Sequence, residues 1–509
     1  MDAEQRIAEL EAQLAERDQQ LASRDREIAE LRALVATLEQ RIAHFAGLEE
    51  KVALLSAQLG ANSSNSARPP STDAPAARAK RNERRKAAKK GTRRHRGGQP
   101  KHRGTRRALL PLAEVDDVVH VFPSQCEDCC VPLPATPDPH AKRHQVVELP
   151  AFEPHTTEYQ RHAVKCPSCQ HTTRAAYDRA QIPASPFGPR LMSVVALLTG
   201  VYHLSRRGAV GLLSDVVGVK LSLGAVSAVE ARVSDALDKP VHEAWQRVVK
   251  APVKHTDGTT WFQAGVALSL WVIATAMATV YKIVADGRKA TLAPLFGKPR
   301  GVLVSDRATA LTFWAMERRQ ICWAHLLRKF ISFSERDGPA GKFGRELLDY
   351  TGIMFEYWHD HRDGRLSRDD MRARMAPVRA QFEALLARAV KSGIKQLAGS
   401  CQDILEHRAA LWTFVDESGV EPTNNHAERE LRAFVLWRKR SYGSQSERGN
   451  RFAERLMTVA HTARKQKKNV LEFLTECCVA HLDGGKTPSL FALEGAAAAQ
   501  RPALGVIGK

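Results

Sequence analysis

The chain has 509 residues, 43% of them hydrophobic, which leaves room for several domains with real cores. Its formal net charge is +20 and its isoelectric point is near 9.7, so the expected partner is a polyanion. Nine cysteines, four of them in two C-x-x-C pairs, point to metal ligation and away from a disulfide framework, and the charged N-terminus excludes a secretory signal.

Residues 1–59 read as one long helix. Ile7, Leu14, Leu21, Ile28, Val35 and Ile42 recur every seven residues, and Leu10, Leu31, Leu38, Phe45 and Val52 fill most of the second seam position. Sustained heptads predict a coiled coil, here an oligomerisation helix, with a helix folded back on its own protein as the alternative. Arg17 and Arg24 interrupt the seam and could set register or partner.

Residues 60–107 change character. A polar, Pro-containing stretch leads into Arg78–Arg107, where fifteen Lys and Arg face one acidic residue, Glu83. Such a block cannot bury a core, so it predicts a disordered linker. Arg84, Arg85, Lys89, Lys90, Arg93 and Arg94 are its candidate phosphate contacts, with salt-sensitive, sequence-independent affinity.

Residues 108–183 carry the metal signal. Cys126-x-x-Cys129 and Cys166-x-x-Cys169 stand thirty-six residues apart. Two such pairs can give four thiolates to one tetrahedral Zn²⁺, which leaves no open position and makes the ion structural. The expectation is a zinc ribbon. Residues 184–250 predict a helical domain with a helix-turn-helix outline: a helix, Gly218, Ser222 as a cap, then AVSAVEARV. That second helix offers few groups able to read base edges, so packing competes with readout. Arg206 and Arg207 are the better phosphate candidates there.

The run Gly265–Val284 is apolar for nearly the length of a membrane span. Its Val, Ile, Thr and Trp content suits buried strands, so no membrane partner is expected. On either side stand Asp257, in VKHTDGTTW, and Asp306, in GVLVSDRATAL, each closing a β-branched run. Strand ends are where open α/β sheets put their chemistry. In QICWAHLLRKF a strand should run into a helix, with Cys322 and Trp323 packed, His325 near the chemistry or merely structural, and Arg328 and Lys329 as DNA contacts. Residues 251–335 form the first part of the catalytic core, and 336–420 a helical insertion.

The second core part, 421–483, opens on PTNNHAERELRAFVLWRKR. Pro422 and Thr423 are helix-start signals. Asn424, Glu428 and Arg432 fall on one helical face, beside an apolar stripe of Ala427, Leu431 and Phe434. Arg438, Lys439 and Arg440, with Trp437 and Tyr442 close by, suit backbone contact and base stacking. Cys477 and Cys478 should pack, and 484–509 should be a loose tail. Two strand aspartates and one helical glutamate are what a two-metal phosphoryl-transfer site needs, because hard divalent cations take oxygen ligands.

The segments HTDGTTW, VLVSDRATA, CWAHLLRKF and NNHAERELRAFVLWRKRSYGSQSERG, in this order, resemble the transposases of the bacterial insertion-sequence-66 family. The resemblance implies a DDE transposase with an RNase H-like catalytic fold and Asp257, Asp306 and Glu428 as its triad. It implies two Mg²⁺ (or Mn²⁺) ions, cleavage at transposon ends that frees a 3′-hydroxyl, and attack of that hydroxyl on target DNA. It agrees with one structural Zn²⁺ in the ribbon. The implied partners are transposon-end and target DNA, a second copy through the coiled coil, and helper proteins from the same element. The implied location is the bacterial cytoplasm, at the nucleoid. Gly258 stands where many members carry a further acidic residue. The expected class is therefore a multidomain α+β protein. A nuclease that cuts without joining, and a non-catalytic zinc-containing DNA-binding protein, are the rival readings.

Overall fold

The computed structural model describes residues 3–63, 65–66, 73–76, 78–79, 83, 108–177, 182–183 and 185–491. They fall into two units, Met1–Lys90 with Leu327–Leu348, and Gly91–Leu326 with Asp349–Lys509. The six candidate phosphate contacts from Arg84 to Lys90 and at Arg93 and Arg94 lie outside the described residues, as does the tail beyond residue 491.

The first unit contains α1, Ala3–Leu59, an unbroken helix of 57 residues. At 1.5 Å per residue it is about 86 Å long. Its first heptad seam, from Ile7 to Ile42, is between 47% and 67% exposed at every position. After it, Ser63 donates to both carboxylate oxygens of Asp73, through its N–H at 2.7 Å and its hydroxyl at 2.6 Å.

The second unit begins with the cysteine region. Strands β1 (Ala163–Lys165) and β2 (Thr172–Arg174) make a small antiparallel hairpin around Cys166–Cys169. Most of residues 108–177 are exposed, including Val121 and Val146 at 88% and 80%. The segment therefore carries no apolar core of its own.

Helices α2 (Pro189–Ala196), α3 (Arg206–Leu212), α4 (Leu223–Ala236) and α5 (Asp238–Lys250) follow. Their caps match the sequence. Ser205 accepts from Gly208 N–H at 3.0 Å, Ser222 accepts from Ala225 N–H at 3.1 Å, and Gly218 takes a left-handed φ of 73°. Val226, Val229 and Val233 of α4 are fully buried in the same core as the sheet. Packing, one of the two roles open to this helix, is thus present, while its outer face also exposes Gly224, Ala228 and Asp235.

The sheet has five strands: β3 (Val253–Gln263), β4 (Val266–Ala274), β5 (Thr279–Val284), β6 (Val302–Ser305) and β7 (Arg319–Ile321). Their order is β5-β4-β3-β6-β7, antiparallel on the β5 side and parallel from β3 to β7. The long apolar run is thus a hairpin of two strands, and no helix among the described residues is long and apolar enough to cross a membrane. Helix α6 (Lys289–Phe296) links β5 to β6.

After β7 comes α7 (Trp323–Ser334), the helix expected at QICWAHLLRKF, and then α8 (Gly338–Arg362), α9 (Arg368–Lys391), α10 (Leu397–Glu406) and α11 (Thr413–Asp416), helices within the stretch 336–420 expected as a helical insertion. Trp323 anchors its later part. The ring lies 5.2 Å from Phe382 and 5.0 Å from Trp412, and its Nε1–H donates to Leu411 O at 2.8 Å. Helices α12 (Asn425–Ser441), α13 (Glu447–Lys465) and α14 (Val470–Leu482) complete the unit. Ala427, Leu431 and Phe434 are the buried stripe of α12, and Cys477 and Cys478 are buried in α14, as the patterning predicts.

Helix α13 closes the β5 edge by side-chain chemistry. Thr462 and Thr458 accept the N–H groups of Thr279 and Tyr281, both at 3.1 Å, and the Glu454 carboxylate accepts that of Ile283. Four residues of helix rise about 6 Å and two of strand about 6.6 Å, so the two ladders stay in step. An edge that could pair with another chain is satisfied internally.

Candidate acidic site at the end of the parallel strands

The two aspartates follow paired segments of neighbouring strands. Val253, Lys254 and His255 of β3 pair in parallel with Val302, Leu303 and Val304 of β6. The same register carried two residues further sets Asp257 opposite Asp306, one strand spacing away, on the same face. Contrary to the expectation from sequence, Asp257 does not end its strand; β3 runs on to Gln263, paired there with β4 and, at Gln263, bridged to Ser444. What ends there is the parallel partner, so both carboxylates stand where β6 gives way to a loop.

Each carboxylate is held by its own backbone. Gly258 N–H donates to Asp257 Oδ1 at 2.9 Å, and Ala308 N–H to Asp306 Oδ1 at 3.0 Å. Beneath Asp306 lies Arg319 of β7, fully buried. Its Nη2 donates to Ser305 Oγ at 3.1 Å and to Asp306 O at 3.0 Å.

The third carboxylate arrives on α12. Its N-cap is Asn424, one residue after the expected Thr423. The Asn424 side chain does not cap the helix. It is fully buried and turned to the sheet, donating to Thr256 O at 2.8 Å and meeting His255 Nδ1 at 3.3 Å, while its N–H reaches Cys322 Sγ at 3.1 Å. Trp323 N–H donates to Pro422 O at 2.9 Å. The start of α12 is thereby tied to the residue before Asp257 and to the end of β7. Glu428 sits in the first helical turn, where the helix dipole favours an anion. His325 Nδ1 lies 3.8 Å from its Oε1.

Among the described residues one group gathers three metal-ligating atoms within 4.8 Å of one another: Cys322, His325 and Glu428. Burial pushes the Cys322 thiol up to about 11. Sequence reasoning put Cys322 in the core, where it is, and left His325 open; the structure sets His325 beside Glu428.

A second charged cluster went unread in the sequence. Glu430 pairs with His461 at 2.5 Å and with Lys465 at 3.0 Å, and Lys465 meets His426 at 2.9 Å. Burial opposes the Glu430 charge, but the His461 and Lys465 contacts outweigh it and bring the carboxyl down to about 2. Tyr281 Oη donates to Glu430 O at 2.8 Å. The only sequence signal was Glu430, two residues past Glu428, on the face turned toward α13.

Gly258 pairs across the sheet with Trp271. A Cβ at this position would lie 2.9 Å from the indole.

The remaining candidates fall in several places. Arg438 is bound to β3, donating to Thr259 Oγ1 at 3.1 Å and to Thr260 O, while Lys439 and Arg440 are exposed. Trp437 stacks on Phe434 at 5.7 Å, so it packs; Tyr442 is 81% exposed. Arg206 pairs with buried Glu230 at 2.5 Å, whereas Arg207 is exposed without that pairing. Arg328 and Lys329 are half-buried on α7.

The two C-x-x-C turns have one geometry. Cys126 N–H bonds Val131 O and Cys130 N–H bonds Cys126 O; Cys166 N–H bonds His171 O and Gln170 N–H bonds Cys166 O. Cys130 and Gln170 both take left-handed φ values, 57° and 59°. In each turn the backbone N–H groups two and three residues on lower the pKa of the leading thiol. The two turns share this backbone, and their four sulfurs are not gathered within 4.8 Å of one another.

A mixed five-stranded sheet, antiparallel on one side and parallel on the other and packed with helices, defines an α/β domain. Comparison with known families agrees on the same stretch. The model of the IS66 transposase family matches residues 184–452, more than half of the chain, and a family of unknown function (DUF6444) matches residues 21–108. The chain belongs to the IS66 transposase family. It is also similar to two uncharacterized proteins of Sinorhizobium fredii. One, y4jD, is 30% identical over 158 residues, 28% of this chain and 30% of that protein; the other, y4qI, is 28% identical over 200 residues, 35% of each. The matches span about a third of the length of these relatives.

Proposed function

We propose that this chain is a DDE transposase in which Asp257, Asp306 and Glu428 act together on phosphodiester bonds at transposon ends. The observation that supports the reading is the parallel register of β3 with β6, which carried two residues further would set Asp257 opposite Asp306, together with the bond that ties the start of α12 to Thr256. Family membership supports it, and the strand order, three antiparallel and two parallel, supports an RNase H-like core.

Three carboxylates offer only oxygen donors, the chemistry hard divalent cations require, so the residues fit two Mg²⁺ (or Mn²⁺) ions. When bound, such ions activate an attacking oxygen and stabilise a leaving one. Asp257 and Asp306 would be two of the ligands, their oxygens oriented by Gly258 and Ala308 N–H. Glu428, set by Asn424, would be a third from the helix side. Water attack on the phosphodiester would break its P–O3′ bond, freeing the 3′-hydroxyl and leaving a 5′-phosphate. That hydroxyl would attack a target phosphodiester, join to its 5′-phosphate and release a target 3′-hydroxyl. Arg207, Arg328, Lys329, Lys439 and Arg440, with the basic segment, would grip phosphates; Arg206 and Arg438 are already committed to protein partners. The four ribbon cysteines would hold one structural Zn²⁺. The exposed α1 seam would join a second copy, as pairing two DNA ends requires.

The test is strand transfer in vitro with labelled transposon-end DNA, target plasmid, Mg²⁺ and any helper proteins of the element, beside Asp306→Asn. Joined product from the parent chain alone is expected. Cleavage without joining would favour a nuclease; DNA binding with no metal-dependent chemistry would sink the reading.

A further inference from the structure

We propose that Cys322, His325 and Glu428 form a binding site for a thiophilic divalent cation such as Zn²⁺, and that filling it withdraws Glu428 from the acidic site. The binding half stands on geometry alone. The inhibitory half rests on the reading of Glu428 as a catalytic carboxylate.

Three observations converge. First, the sulfur, an imidazole nitrogen and a carboxylate oxygen lie within 4.8 Å of one another, and the His325 Nδ1 to Glu428 Oε1 distance is 3.8 Å. Zinc accepts this donor mixture, with three protein ligands and an open fourth position. A hard cation would leave the sulfur aside.

Second, a donor already reaches the sulfur: Asn424 N–H meets Cys322 Sγ at 3.1 Å, just ahead of the first residue of α7. A backbone donor on a sulfur at a helix start favours its anionic form. A cation that binds there takes the place of the thiol proton, which passes to solvent.

Third, the three ligands come from two elements already fixed to each other. Asn424 N–H on Cys322 Sγ and Trp323 N–H on Pro422 O join the start of α7 to the start of α12. Little reorganisation separates this arrangement from a coordinated one.

The experiment counts zinc. Full-length protein, equilibrated with a small excess of Zn²⁺, is weighed by native mass spectrometry beside His325→Gln and Cys322→Ser. His325 is about a quarter exposed, so its replacement spares the fold even where that of buried Cys322 does not. The parent chain should hold one more zinc than His325→Gln. Equal counts would overturn the site and mark zinc there as adventitious. A second arm follows Mg²⁺-dependent cleavage of end DNA as free Zn²⁺ rises, each protein normalised to its own zinc-free rate. The half-inhibiting zinc concentration should rise about tenfold to a hundredfold in His325→Gln, the range typical of a lost metal contact. Equal inhibition of both proteins would overturn the inhibitory half. A correct zinc count with unhindered cleavage at saturating zinc would instead count against Glu428 as a catalytic carboxylate. The two readings therefore fail separately.

Discussion

At the residue scale, position matters through what surrounds each side chain. Asn424 is the clearest case. It sits fully buried between Thr256 O, His255 and Cys322 Sγ, so it fixes the angle at which α12 leaves the sheet. Asn424→Ala would leave a buried carbonyl and a buried imidazole without this partner. The expected loss of stability is about 1–3 kcal/mol in a denaturant titration. Gly258 makes a second, coupled prediction. Gly258→Asp would press a Cβ into the Trp271 ring, and overpacking of this kind costs about 1–3 kcal/mol. In a Trp271→Val background the same substitution should cost less by about 1 kcal/mol or more, and additivity in the double-mutant cycle would refute the clash. At this scale the sequence was legible where chemistry is local. Asp257, Asp306 and Glu428 stand out by residue type and setting. His325 beside Glu428 and the Glu430–His461–Lys465 cluster did not, because those pairings join residues far apart in the chain. No periodicity encodes such a meeting.

At the element scale, the helices and strands were read well and their partners less so. The apolar stripe of α12, the two strands in the apolar run and the Ser222 cap follow from spacing and capping chemistry alone. That β3 outruns β6, or that α13 would serve the β5 edge, depends on tertiary register. The α13 ladder gives the pH prediction. Burial pushes the Glu454 carboxyl up to about 7, against the Ile283 N–H bond and the nearby Lys282, Arg455 and Arg451 charges, which lower it. An acid whose folded pKa is raised favours folding while protonated. That stability is fully present below the unfolded carboxyl range, near 4.5, and is lost as pH rises through about 7. The difference is on the order of 3 kcal/mol. Glu454→Gln keeps an acceptor for Ile283 and removes the titration. It should match the parent near pH 4.5 and exceed it at pH 8 in thermal melts. Parallel pH curves for the two proteins would show that Glu454 does not titrate in this window.

At the scale of the whole molecule, the charge and the long helix ask different questions. The fifteen basic residues between Arg78 and Arg107 should release counterions on binding DNA. Deleting that stretch should flatten the slope of log affinity against log salt while leaving a residual, less salt-sensitive affinity. The α1 helix is a problem of exposed area. Six seam residues from Ile7 to Ile42 stand between 47% and 67% exposed along one heptad line. An apolar stripe of this length on a helix of 57 residues has no counterpart in a stable lone helix, and a second copy offers a matching stripe by symmetry. Leu21→Asp with Ile28→Asp puts two charges in the seam and changes no residue of the second unit. Sedimentation should show the parent chain as a dimer or higher assembly and the double variant as a monomer. Thermal unfolding of the sheet-containing unit should be the same in both, because that unit has its own core. If the variant still sediments as an oligomer, the contact lies elsewhere and the heptads serve an intramolecular partner. If the parent is monomeric even on end DNA, two-end pairing through α1 is wrong. Joined product should fall with the oligomer, while single-strand nicking at one end should persist. That split would separate the seam, which brings two ends together, from the carboxylates, which act on each.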